Sequence, residues 1–231
     1  MPRVARAELE SLLQSRKLDG TLTTSAVWRN VREDRLAPTG LPELDSALDG
    51  GLRRGHLSEV VGPRSSGRTT VTGAILAAAT ARGEVVALVD THDRFDPASA
   101  AAAGIDLSRV LWVRDRGDAL RALKAVNLVL QAGGFGVVAF DLADVRGPAL
   151  RQFPITTWMR LSRVIEGSQT VALLMGAEHL ARSPGGVTIA LNRQDAGGSI
   201  QWSGQADRAR LFRGVTISPR VVAAHGYAAN A

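Results

Sequence analysis

The chain has no cysteine, a single tyrosine within an aromatic content of 4%, and almost no lysine. Without cysteine, disulfide bridges and thiolate metal sites are both excluded. The four histidines do not repair that lack, because His56, His179 and His225 are isolated from one another and give no metal-ligand spacing. No apolar run approaches the roughly 20 residues that span a bilayer. Residues 1–17 mix arginine with glutamate and lack the apolar stretch of a secretory leader, so a cytoplasmic protein with no membrane partner is expected. Among the 28 basic side chains only Lys17 and Lys124 are lysine, and the net charge of +6 is carried by arginine. A guanidinium offers a planar fork of donors suited to phosphate. GC-rich coding also enriches arginine and alanine, so this basicity permits nucleic-acid binding without establishing it.

What is present is the composition of an ordinary folded domain, with 45% hydrophobic and 22% charged residues over 231 positions. Three regions separate. Residues 1–37 form a basic extension in which Val4, Leu9, Leu12, Leu13 and Leu18 recur at helical spacing, predicting a helix over 5–17 that Asp19-Gly20 stops. Val27, Trp28 and Val31 follow as a small apolar anchor. Residues 38–218 form the core, entered at Pro38-Thr39-Gly40, and residues 219–231 read as a flexible tail.

Within the core, strands and helices alternate, the pattern of βαβ units and an α/β fold with a mainly parallel central sheet. Strands are predicted over 57–61, 85–89, 110–113, 136–140 and 170–175, and helices over 69–81, 118–131 and 157–166. Residues 98–103 read as a helix start. After Gly185-Gly186 the segments 187–192, 199–202 and 211–217 are short and β-prone, predicting a β-rich, antiparallel closing section.

Between the strand over 57–61 and the helix over 69–81 lies Gly62-Pro63-Arg64-Ser65-Ser66-Gly67-Arg68-Thr69-Thr70. This is the setting of a G-x-x-x-x-G-K-[ST] loop, whose backbone N–H groups meet phosphate beside a helix N-terminus. Gly62, Ser65, Ser66, Gly67, Arg68, Thr69 and Thr70 are the candidate phosphate-binding residues. Thr69 is also the candidate Mg²⁺ ligand, with Asp141 at the tip of the strand over 136–140 on the metal side. The lysine of the motif is absent, and Arg68 stands in its place. A longer, forked guanidinium does not reproduce a compact ammonium on the β- and γ-phosphates. The serines belong to this loop and form no nucleophile triad with His92.

These residues sit in a stretch that resembles the RecA recombinase core: Thr39-Gly40-Leu41-Pro42-Glu43-Leu44-Asp45, Gly50-Gly51-Leu52, Gly55 to Glu59, the loop, Val89-Asp90, Asp96-Pro97, Gly104-Ile105-Asp106, and Asp141. The resemblance covers about 100 residues by the spacing of these motifs. It implies a RecA-like P-loop core binding ATP and Mg²⁺, with Asp96 joining the nucleotide-binding set. Departures accompany the matches. His92 falls where the resemblance implies the glutamate that positions the attacking water, with Asp93 one residue away as the other candidate. Ser99 replaces the tyrosine that would lie on adenine, and Gly176 or Ala177 replaces the glutamine that senses the γ-phosphate. These losses point to weak or absent hydrolysis.

The combination is similar to the ImuA family, RecA-like accessory proteins of bacterial translesion synthesis. It shares the short length, the basic extension with Trp28, the altered loop and the β-rich end. That resemblance implies a role in the SOS response and mutagenesis, near the nucleoid. Its implied partners are a catalytically altered Y-family polymerase homologue (ImuB), an error-prone C-family polymerase, RecA and DNA. Segments 142–155, with Arg146 and Arg151, and 178–186, with His179 and Arg182, correspond to loops that hold DNA in RecA-like proteins. Their only stacking aromatic is Phe153. The helix over 5–17 is the candidate for self-association. Two other readings remain open at this point: a genuine DNA-dependent ATPase, and a regulator similar to division inhibitors related to RecA.

Overall fold

A computed structural model describes residues 35–181, 185–191, 200–203, 211–215 and 219–224. The expected N-terminal helix, the Trp28 anchor, Arg182 and His225 lie outside these residues. In chain order the elements are β1 (Leu36–Ala37), α1 (Pro42–Ala47), β2 (Leu52–Arg53), β3 (Leu57–Val61), α2 (Arg68–Ala81), β4 (Val86–Asp90) and α3 (Pro97–Ala102). A 3-10 turn over Leu107–Arg109 leads into β5 (Val110–Arg114), α4 (Ala119–Ala132), β6 (Val137–Asp141), α5 (Gly147–Leu150) and α6 (Ile155–Ile165). The remaining strands are β7 (Val171–Gly176), β8 (Val187–Ala190), β9 (Ile200–Ser203), β10 (Leu211–Val215) and β11 (Arg220–Ala224).

Seven strands form one sheet in the order β11-β8-β3-β7-β6-β4-β5. Every pairing in it is parallel except β11 with β8. Strands β3, β4 and β7 are buried along their whole length, which is why β4 and β7 are nearly continuous apolar runs, whereas β3 encloses Ser58 and Glu59 between its apolar residues. Side chains of successive residues still point to opposite faces. Val86 and Leu88 enter a core with Val71, Ile75 and Leu76 of α2, while Ala87 and Val89 enter a second core with Val126 of α4 and Leu161 and Ile165 of α6. Each fully buried aliphatic side chain contributes about 1.5–3 kcal/mol, so helices on both faces hold the sheet.

Two expectations are corrected. Residues 187–190 do not open an antiparallel section, because β8 joins the main sheet parallel to β3 through Glu59–Thr188, Val60–Ile189 and Val61–Ala190. A short β-prone run reads alike for either direction. The flexible tail expected from 219 is interrupted by β11, which pairs antiparallel with β8 from Arg220–Ala190 to Ala224–Val187. The antiparallel character expected after Gly186 is found in that pair and in the separate two-stranded sheet of β9 and β10.

Candidate nucleotide site

In an open parallel sheet the C-terminal ends of the strands converge on one edge, where connecting loops leave a crevice. Here β3, β7, β6 and β4 bring Val61, Gly176, Asp141 and Asp90 to that edge, with Val61 beside Gly176 and Asp141 beside Asp90 in register. The loop after β3 runs directly into α2.

That loop has the geometry of an anion cradle. Ser65 and Gly67 are left-handed, at φ 59° and 96°, which turns successive backbone N–H groups inward. Gly62 is required by space, since a Cβ there would collide with the Leu191 carbonyl and the Ser66 hydroxyl. The first turn of α2 has no side-chain cap at Gly67. Helices α3 and α4 differ: the Asp96 carboxylate accepts from the Ala98 and Ser99 N–H groups, and Asp118 accepts from Leu120 and Arg121. Helix N-termini carry orphan N–H groups and partial positive charge. On α2 these donors remain for a ligand, and the Ser66 hydroxyl is buried without a hydrogen-bond partner. Thr69 and Thr70 are exposed on the same turn. The residues therefore fit a phosphate group.

Arg68 does not project freely toward such a group. Its side chain is buried, and Nη1 donates to the Gly176 carbonyl at 3.0 Å. The same carbonyl accepts the Gly62 N–H at 3.2 Å. At position 176, where the resemblance implied a sensing glutamine, an added Cβ would lie 2.8 Å from the Glu178 carbonyl. The guanidinium thus links the loop to the strand end whose own side chain is missing.

Asp141 is half-buried, and burial pushes its carboxyl above the usual range, with the neighbouring Asp90 charge adding to the effect. One oxygen accepts the Ala143 N–H at 2.8 Å. Asp90 is fully enclosed and accepts from the His92 and Phe95 N–H groups and the Trp112 indole. Two acidic groups at adjacent strand ends, one of them raised by burial, fit a divalent cation that would supply the missing positive charge.

The two candidates for handling the attacking water are placed differently. His92 is half-buried, and its ring lies 3.9 Å from where a Cβ on Gly117 would be. Asp93 is left-handed, at φ 56°, and both its oxygens accept from Arg114 at 2.7 Å. That hydrogen-bonded pair holds its carboxyl below the usual range, which weakens it as a base. Arg64 crosses the mouth of the site to Asp144 at 2.8 Å, joining the phosphate loop to the segment after β6.

Beside the cradle is a cavity of about 420 Å³, running from Thr69 and Asp141 along α2 to Leu76 and bounded by Ser99 and Ala103 at α3. Asp96 also lines it. Sequence reasoning identified Asp96 and Ser99 but not this space, because its walls come from separate elements, Leu76 of α2, Leu88 of β4, Phe95 and Ile105 among them, that only the fold brings together.

Of the candidate DNA-facing residues, Arg146 and Arg151 flank the short helix α5 and are exposed. Phe153 is not a stacking surface: it is buried edge-on against Trp158 at 5.7 Å. His179 faces inward to the buried Glu59. Among the described residues, no helix is long and apolar enough to cross a membrane.

Residues 25–149 match the RecA N-terminal domain, and the chain belongs to that family. It is similar to RecA of Methylococcus capsulatus, at 40% identity over 113 residues, which is 48% of this chain and 32% of that protein. It is likewise similar to RecA of Mycobacterium ulcerans, at 39% over 108 residues, or 46% of this chain and 31% of that protein. The matched part therefore spans about a third of these relatives. The crystal structure of the RadB recombinase is 22% identical and superposes with a TM-score of 0.48, over 61% of this chain and 69% of that one.

Proposed function

We propose that this chain is a RecA-like accessory protein that binds ATP with Mg²⁺ as a structural or switching ligand and hydrolyses it slowly or not at all. Gly62, Ser65, Ser66, Gly67, Thr69 and Thr70 hold the phosphates, and Thr69 and Asp141 hold the cation. The observation carrying this reading is the contrast within one site. The loop is shaped for phosphate, with uncapped N–H donors, while Arg68 is tied to Gly176 and Asp93 to Arg114. Fast phosphoryl transfer needs free charged groups aimed at the γ-phosphate and the attacking water.

In the finer reading, the protein serves SOS-induced translesion synthesis and mutagenesis near the nucleoid. Its partners are an ImuB-like Y-family polymerase homologue, an error-prone C-family polymerase, RecA and DNA. The RecA N-terminal family match and the sequence resemblance support it. Arg146 and Arg151 beside α5, together with Arg182, would meet DNA phosphates, and the extension over 1–37 would serve assembly. Binding through these arginines weakens as salt rises.

The test is calorimetry with ATP and Mg²⁺, followed by phosphate release with and without single-stranded DNA. Binding with turnover no higher than in Asp141→Ala supports an accessory role, and pull-down of the two polymerases and RecA then tests the partners. DNA-stimulated turnover well above that control would establish the rival DNA-dependent ATPase, which the retained loop geometry and Asp141 favour.

A further inference from the structure

Helices α4 and α6 cover the same face of the sheet and share a core through Ala122, Val126, Trp158 and Leu161. Each joins two parallel strands, so both cross back over the sheet in the same direction. Their outward faces mix apolar and basic side chains. On α4, Leu120, Lys124 and Leu128 follow at four-residue spacing; on α6, Ile155, Met159 and Arg163 do the same, with Arg160 beside them. Residues four apart on a helix share one face. The four apolar side chains are open to solvent, from 48% at Leu120 to 65% at Leu128. Half of the large hydrophobic side chains exposed among the described residues belong to these two helices. Hydrophobic residues scattered singly over a surface are ordinary, whereas a concentration on neighbouring helices marks an interaction site.

Charge on this face has one sign. Within residues 119–165 the acidic side chains are Asp141 and Asp144, both at the nucleotide edge, so neither helix contains one. Asp118 is occupied in capping α4, and Glu166 follows the last turn of α6. Lys124, Arg160 and Arg163 are exposed and have no ion-pair partner among the described residues.

We propose that this face of α4 and α6 docks an acidic amphipathic helix of a partner protein. The partner's apolar stripe lies on Leu120, Leu128, Ile155 and Met159, and its carboxylates meet Lys124, Arg160 and Arg163 at the rim. Each stripe runs about 12 Å at about 1.5 Å per residue, enough to seat two turns of helix. Nucleic acid suits the face less well, because a phosphate backbone leaves the exposed leucines between the cations unburied. A second copy suits it less well too. The chain carries +6 overall, and its extension over 1–34 has nearly equal numbers of basic and acidic side chains. The inference does not depend on the loop binding phosphate.

The probe is a synthetic peptide of about 15 residues, long enough to be helical when docked, with leucine at helical spacing and glutamate elsewhere. Its control has lysine for every glutamate. Each is titrated into the isotope-labelled full-length chain, and amide shifts are followed residue by residue. The acidic peptide is expected to move signals of residues 119–132 and 155–165, and the lysine peptide none of them. Lys124→Glu with Arg163→Glu is expected to weaken the acidic peptide about tenfold. Leu128→Ser with Met159→Ser is expected to weaken it about as much. All four residues are exposed, so both double variants melt close to wild type, and that melt certifies them.

An acidic peptide that moves no signal on either helix overturns the docking surface. So does binding that falls on charge reversal but ignores the serine variant, since the contact is then merely ionic. Tighter binding of a DNA duplex or of phosphatidylserine vesicles through the same residues overturns the protein partner. A sedimenting mass that rises with concentration, and falls back in the serine variant, overturns it in favour of a second copy.

Discussion

Arg68 and Gly176 are joined across the crevice, the guanidinium donating to the carbonyl at 3.0 Å. This tie occupies the one cation of the phosphate loop that sequence assigned to the ligand. Arg68→Lys breaks it, because an ammonium lacks the second arm and the length. The freed charge is expected to strengthen Mg-ATP binding several-fold, at about 1 kcal/mol for a charge-assisted bond. Phosphate release stays at the Asp141→Ala level. Calorimetry and a phosphate-release assay check the two parts.

Asp141 is disfavoured as a carboxylate in the folded, nucleotide-free protein, because burial and Asp90 both raise its pKa. A raised acid binds protons more readily folded than unfolded, so its contribution to stability declines as pH rises from the ordinary aspartate range through the raised value. Asp141→Asn is therefore expected to melt higher than wild type at neutral pH without nucleotide. It should also lose the additional stabilisation that Mg²⁺ gives on top of ATP. Melting curves with and without Mg²⁺ decide both.

Asp93 is paired with Arg114 and exposed, in a left-handed conformation that asparagine also tolerates. Asp93→Asn is expected to change phosphate release by less than about twofold, well under the effect of removing a general base. A large loss would return Asp93 to the catalytic candidates.

Beside Asp90, whose carbonyl accepts its N–H at 2.9 Å, Asp115 is hydrogen-bonded by Arg121, which together with backbone donors holds its carboxyl down at about 2. A depressed acid stabilises the fold above its unfolded pKa and loses that contribution as pH falls toward about 2. With Arg121 largely exposed, screening reduces the gain to about 1 kcal/mol. Wild type should out-melt Arg121→Ala at pH 5, and the gap should narrow steadily on acidification below pH 4. A constant gap would assign the effect to packing.

The strand–loop–helix unit from 57 to 81 was legible in sequence because each part carries its own signal: an apolar run, glycines where space or φ demands them, then alanine-rich helix. Asp141 was legible for the same reason, as a charge at the end of a buried strand. The orientation of Arg68 was not, since its partner is a main-chain carbonyl 108 positions away that any residue would supply. Nor was β11, whose Arg-Val-Val-Ala-Ala run is too short to distinguish a pairing strand from a terminus. The cavity escaped because empty volume is made by Gly73, Ser99 and Ala103 jointly, and no single position announces it.

The back wall of the phosphate loop is the residue after β8, where the Leu191 N–H donates to the Val61 carbonyl at 2.8 Å and its own carbonyl abuts Gly62. Among the described residues, strand β8 is in turn clasped on its outer side by β11. The back wall of the cradle thus leans on a strand held by β3 on one side and by the five residues of β11 on the other. Removing β11 is expected to loosen the Leu191 wall against Gly62 while leaving the loop's own residues in place.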